Sequence, residues 1–211
     1  MKKLLFLCLA TFASISLFAQ STAQQSSILR EIFGDLDKDG IDEKIVVSNI
    51  PQFDENGSAS PRRLTIYKKN SNNWNTWIQS DLAILGEDEG GVAGDPFSDI
   101  EVKKGILIIH QAGGSNWKWS RVDKYRFQNG DLQLIGYTGA HGMLCQEWTD
   151  IDYNLSTGDI EIKKDLDDCE SGNANIQQEK FNHKLPKISI KERNKVEYNF
   201  KSPKYGFEVF L

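Results

Sequence analysis

Along most of this chain apolar and polar residues alternate with a period of two, the spacing of strands that bury one face. Arg63-Leu64-Thr65-Ile66-Tyr67-Lys68 reads this way, and Ser71-Asn72-Asn73 turns the chain back into Trp74-Asn75-Thr76-Trp77-Ile78. Ile100 to Lys103 and Ile106 to His110 flank Lys104-Gly105, and the second run is apolar enough for the centre of a sheet. Val122 to Phe127 and Leu132 to Tyr137 flank Asn129-Gly130, a strong hairpin signal. Trp148 to Leu155 and Ile160 to Lys163 are joined by Ser156-Thr157-Gly158-Asp159. Lys44 to Ile50 is β-branched and reads as a buried strand, fed by a short amphipathic piece, Ile28 to Phe33. A final hairpin is expected from Ile188 to Lys191 and Val196 to Phe200 around Arg193-Asn194, with Phe207 to Phe210 as a last strand. Few segments hold a helical period for ten residues. The expected fold is all-β, with antiparallel hairpins forming a sandwich or an incomplete propeller-like arrangement. The absence of a repeat at a fixed period weighs against a full propeller.

Several stretches interrupt the pattern. Pro51 to Pro61 reads as a loop. Asp81 to Glu101 carries seven carboxylates and four glycines without a Lys or Arg, and its acids lack a repeated ligand spacing. It is expected to be a solvated loop. Gly113 to Trp119 and the glycine-containing Thr138 to Leu144 are expected to break strands, and Asp165 to Glu179 to form an acidic, amide-rich excursion. Asp150, Asp152 and Asn154 lie at alternate positions but lack a following glycine, so they read as the polar face of a strand. The basic C-terminal region from Lys180 onward is expected to pair with the acidic loops.

The start of the chain changes the address. Met1-Lys2-Lys3 is basic, Leu4 to Phe18 is apolar but short for a bilayer, and small residues follow. Residues 1–23 therefore read as a secretory signal peptide, leaving 24–211 as a single β domain in the periplasm or outside the cell. Cys8 lacks the small preceding residue of a lipid-attachment site. Removal of Lys2 and Lys3 takes the net charge from -5 to about -7, a balance that gives no reason to expect nucleic acid as a partner. No second apolar run approaches 20 residues, so no transmembrane segment is expected after cleavage. Cys145 and Cys169 remain, and in an exported chain such a pair is expected to form a disulfide. Closing its loop would stabilise the fold by about 3 kcal/mol on the chain-entropy account.

The densest chemistry lies in Asp35-Leu36-Asp37-Lys38-Asp39-Gly40-Ile41-Asp42-Glu43. Counting from Asp35, carboxylates fall at positions one, three, five and nine, glycine at six and a backbone carbonyl, that of Ile41, at seven. A hard cation such as Ca²⁺ needs this many oxygens on a tightly wound loop, with the glycine permitting the turn. Asp35, Asp37, Asp39, the Ile41 carbonyl and Glu43 are the candidate ligands. Without a cation their mutual repulsion should loosen the loop. An EF-hand is excluded, because position twelve is Val46 rather than Glu and a strand follows. The loop resembles the calcium loops of FG-GAP and VCBS-type repeats of extracellular β proteins. Together with Gly94-Asp95-Pro96-Phe97, Gly113-Gly114-Ser115-Asn116-Trp117 and Leu134-Ile135-Gly136, it resembles a group of small exported bacterial proteins. That likeness implies no activity.

The three histidines, His110, His141 and His183, share no ligand spacing, and the carboxylates indicate no catalytic pair. Trp117 and Trp119 are two residues apart beside a Gly-Gly-Ser segment, so on a strand both would present one aromatic face for a sugar or a protein. Trp74, Trp77 and Trp148 read as packing residues. The expected function is that of an exported, Ca²⁺-stabilised binding domain whose partner is envelope glycan or an extracytoplasmic protein, including an inhibitor or immunity role. The alternative is an extracytoplasmic hydrolase of polysaccharide or peptide.

Overall fold

The computed structural model describes residues 27–50, 61–168, 173–195 and 197–211. The expected loop at Pro51 to Pro61 falls mostly outside them, as do Cys169 and the signal peptide. The chain is all-β. Ile28–Gly34 (β1), Glu43–Asn49 (β2), Arg62–Asn70 (β3) and Asn73–Ser80 (β4) form a four-stranded antiparallel meander. Phe97–Lys103 (β5), Ile106–Gly114 (β6), Lys118–Gln128 (β7), Asp131–Met143 (β8), Glu147–Asn154 (β9), Asp159–Asp168 (β10) and Asn173–Asn182 (β11) form a seven-stranded one in which every strand pairs with its sequence neighbour. A short hairpin of Asn199–Lys201 (β12) and Glu208–Phe210 (β13) follows.

Apolar residues of both large sheets meet in one core. Ile45 and Val47 of β2, Leu64 and Ile66 of β3 and Ile78 of β4 pack with Ile100, Leu107, Ile109, Tyr125, Leu132 and Leu134 of the larger sheet, all nearly inaccessible. Each such side chain contributes about 1.5–3 kcal/mol by leaving water. The arrangement is the sandwich of the two anticipated. The same face of the larger sheet continues into a second cluster, where Tyr137, Ile151, Tyr153, Ile160 and Ile162 lie beneath Phe207 and Val209 of the C-terminal segment.

The hairpins at Lys104-Gly105 and Asn129-Gly130 form as expected, with both turn residues at positive φ in each. Other expectations need correction. Gly113 and Gly114 remain within β6, and Thr138 to Met143 continues β8 without a break. At two of these positions the missing Cβ is used by a neighbour, since the Trp119 indole lies over Gly113 and the Tyr137 ring over Gly139. Asp165 to Glu179 contains the ends of a regular hairpin, β10 paired with β11, rather than an excursion. The C-terminal hairpin is β12 with β13; Ile190–Glu192 is a 3-10 turn, and Arg193 leaves the surface to pair with Asp123.

Among the described residues, the glycine-rich acidic loop is tied down by cations of the four-stranded sheet rather than by those of the C-terminal region. Asp95 forms a bidentate pair with Arg62, whose side chain is fully buried, while Arg63 holds Asp81 at 2.6 Å and Arg30 holds Asp99 at 3.1 Å. The Arg62 guanidinium lowers the Asp95 pKa. In the C-terminal region Lys180 pairs with Glu161, Lys195 with Glu192 and Lys201 with Glu208.

Candidate functional site

The acidic loop is the connection of the β1–β2 hairpin, closed by pairing of Gly34 with Glu43. Leu36 is buried and pins the loop to the core, while Lys38 and Gly40 take positive φ and wind the segment between them. Asp35 accepts the Asp39 and Gly40 N–H groups at 3.1 and 3.0 Å, and Asp39 accepts the Ile41 N–H at 2.9 Å. Asp35, Asp37 and Asp39 each bring a carboxylate oxygen within 4.8 Å of the others. Ca²⁺ binds oxygen at about 2.3–2.6 Å, so opposed ligands lie about 5 Å apart and this spacing suits it. Asp37 Oδ1 is buried and has no hydrogen-bond partner, which leaves a lone pair for an ion.

Glu43 stands slightly apart. Its carboxylate is almost fully buried and accepts the Leu36 N–H at 2.8 Å; burial raises its pKa. The Ile41 side chain is a hydrocarbon that points largely to solvent, and its backbone carbonyl is the one oxygen it can offer the loop. Lys68, from β3, inserts its ammonium among these groups, bonding Asp37, lying 3.1 Å from Asp39 Oδ2 and 3.5 Å from Glu43 Oε1. Burial opposes its charge, but the bonds to Asp37 and Asp39 outweigh that and raise its pKa. The sequence reading missed Lys68, whose place here depends on the pairing of β2 with β3.

The two nominated tryptophans separate. Trp117 sits in the β6–β7 turn, so strand alternation does not govern it, and it is 41% exposed. Trp119 is the second residue of β7, is half-buried and covers Gly113. Trp117 stands at a groove of about 470 Å³ between the larger sheet and the C-terminal hairpin. The floor is a row across four strands, His141, Thr149, Lys164 and Gln177, each paired with the next. The roof is Tyr205 and Phe207, stacked with centroids 5.1 Å apart, and Phe210.

Charge in the groove is balanced locally. Lys164 holds Glu147 at 2.7 Å and lies over the Phe207 ring. Burial, with help from Lys164, lowers the His141 pKa and favours its neutral form. Glu179 anchors the roof: its carboxylate accepts the N–H groups of Lys204 and Tyr205 at 2.7 and 3.1 Å. Burial opposes its ionisation, but these bonds and one from Ser202 prevail and lower its pKa. A floor of hydrogen-bonding groups under aromatic rings can hold a polar ligand with apolar faces. His110 and His183 lie elsewhere, against Glu101 and stacked on Phe200.

Cys145 occupies the β8–β9 turn at positive φ. β10 runs three residues past the partner of Trp148 toward that turn, ending at Asp168. Comparison with protein-family models, with curated proteins and with solved structures finds no match for this chain.

Proposed function

We propose that the protein is an exported, Ca²⁺-stabilised β domain that acts by binding, with envelope glycan as its partner. The observation that carries the binding reading is the groove itself, with Trp117, Tyr205 and Phe207 facing His141, Thr149, Lys164 and Gln177. Sugar rings present apolar faces and hydroxyl edges, which such aromatic and polar groups complement. An extracytoplasmic protein, whether a partner or a target of inhibition, is the second occupant, engaging the same exposed aromatics. The alternative hydrolase would draw on Glu147 and Glu208, which line the same groove. Each is paired with a lysine, Glu147 with Lys164 and Glu208 with Lys201, which favours binding.

Asp35, Asp37, Asp39, the Ile41 carbonyl and Glu43 are the proposed Ca²⁺ ligands, supported by the oxygen spacing and the orphaned Asp37 Oδ1. The ion would fasten the β1–β2 hairpin; it stands outside the groove and supplies no chemistry to it. The Cys145–Cys169 disulfide and the leader complete the exported reading. The direction of β10 toward the Cys145 turn supports the disulfide.

The test is a fluorescence titration of the mature chain with soluble envelope-glycan fragments. Saturable quenching that is lost in Trp117→Ala and kept in Trp119→Phe is expected. Binding unaffected by Trp117→Ala would remove the groove from the account, and glycan cleavage during the titration would establish the hydrolase.

A further inference from the structure

A second hollow, of about 390 Å³, lies at the other end of β7 from Trp117, shares no lining residue with the groove and does not depend on the glycan reading. The β7–β8 hairpin, the β9–β10 turn and the link that follows β11 enclose it. The link is held beside β8, where the Leu134 N–H donates to the Ile188 carbonyl at 2.9 Å. Lys184 and Lys187 of the link are thereby brought to the same hollow as Arg126 of β7. All three cations are exposed, and none has an ion-pair partner among the described residues.

No Asp or Glu lines this hollow, in a chain whose net charge is -5. The groove, by contrast, sets Glu147 and Glu208 beside its lysine. Asp131 and Asp159 begin strands that border the hollow, but their oxygens are engaged. Asp131 accepts its neighbour Leu132 N–H at 2.9 Å and the Ser189 hydroxyl, while Asp159 accepts Thr157 Oγ1 at 2.6 Å and Asn182 Nδ2 at 2.9 Å. Lys184 attracts Asp159 at longer range without bonding to it. Neutral donors stand between the cations: Gln128 donates to Gln133 Oε1 at 2.7 Å, which leaves the Gln133 NH₂ to donate, and Asn129 and Ser156 also line the hollow.

Three like charges around one hollow repel one another, and an anion of matching charge relieves that repulsion. A carboxylate brings a single charge. A phosphate monoester brings about -1.5 to -2 near neutral pH and three strong acceptor oxygens. A guanidinium takes two such oxygens side by side, and ammonium groups bind the same anion as point charges. Leu155, Leu185 and Pro186 add an apolar wall for the group that carries the phosphate. The volume is within the range of small-molecule sites.

We infer that this hollow binds a phosphate monoester, with the phosphate held by Arg126, Lys184, Lys187 and the Gln133 amide and the organic body against Leu155 and Leu185. The ester is a soluble metabolite or the headgroup of a lipid, since both present the same dianion.

The test is isothermal titration calorimetry of the mature chain with phenyl phosphate, with phenyl sulfate and with inorganic phosphate. Phenyl phosphate should bind, inorganic phosphate should compete with it, and the singly charged sulfate should bind on the order of tenfold more weakly. Arg126→Gln and Lys187→Gln should each weaken phenyl phosphate on the order of tenfold without lowering the melting temperature, because both side chains are exposed and unpaired. Lys69→Gln, at an exposed position on β3, should leave binding unchanged. Sedimentation with phosphatidylcholine vesicles, with and without phosphatidic acid, separates the sources: retention that needs phosphatidic acid and Lys187 assigns the lipid, and calorimetric binding without retention assigns the soluble ester. No binding of phenyl phosphate at millimolar concentration, equal binding of phosphate and sulfate esters, or an equal loss in Lys69→Gln would overturn the proposal.

Discussion

Lys68 Nζ lies 3.1 Å from Asp39 Oδ2, so a cation contributed by β3 already stands among the acids of the β1–β2 loop. The repulsion anticipated from the sequence is partly offset within the chain itself, and Ca²⁺ would have to compete with this ammonium. Lys68→Met should therefore tighten Ca²⁺ binding, on the order of tenfold, which corresponds to about 1.4 kcal/mol, while lowering the melting temperature in EDTA. Calorimetric Ca²⁺ titrations of the two proteins check the first effect and thermal melts the second. Because the Lys68 pKa is raised, its contribution in EDTA is complete below the ordinary lysine range and is lost only as pH rises through the elevated value.

The Asp123–Arg193 pair should respond asymmetrically to mutation. Asp123→Asn leaves two buried guanidinium groups without a carboxylate and should cost about 3–5 kcal/mol, the usual penalty for breaking a buried pair. Arg193→Met should cost less, because Arg121 remains on the same face to face Asp123. Urea denaturation of both variants measures the order; equal losses would argue against Arg121 as a second cation for Asp123.

Acid should open the groove before it unfolds the sheets. Glu179 has a lowered pKa in the fold, so the docking it provides is intact above the ordinary glutamate range and is lost as pH falls through the depressed value. Glu179→Gln should reproduce the acid effect at neutral pH. Amide exchange at Lys204 and Tyr205 is the readout, with faster exchange in the variant while β9 and β10 stay protected.

Overpacking should follow from filling the bare face of β8. A Cβ added at Gly139 would overlap the Tyr137 hydroxyl, so Gly139→Ala should destabilise the protein by about 1–3 kcal/mol. Gly130→Ala meets no neighbour, and its cost should come from its positive φ alone. Chemical denaturation of the two variants, in the wild type and in Tyr137→Leu, separates steric from conformational causes.

What the sequence disclosed was local. The Asn129-Gly130 and Lys104-Gly105 hairpins could be read because a two-residue turn fixes the register of its own strands, and the acidic loop because all its carboxylates lie within nine positions. The misplaced breaks at Gly113 and Gly139 came from treating glycine as a local defect, whereas Trp119 and Tyr137 occupy the space that glycine leaves. Lys68 at the acidic loop, Arg193 on Asp123 and the groove between β8–β11 and the C-terminal hairpin join distant segments, and no spacing rule along one segment reports them. The acids of the 81–101 loop were seen, but their partners Arg62 and Arg63 lie on a strand whose neighbours only folding decides.

The central claim is that the Asp35–Glu43 loop is a structural Ca²⁺ site, and the melting temperature of residues 24–211 in EDTA and then across a Ca²⁺ titration tests it most directly. Native-state binding should raise stability by about 2.7 kcal/mol at a hundred times the dissociation constant. The account predicts a rise that Mg²⁺ does not reproduce, that Asp37→Ala weakens and that Asp152→Ala, on the exposed face of β9, leaves intact. An unchanged melting temperature up to millimolar Ca²⁺, or equal losses in the two variants, would contradict it.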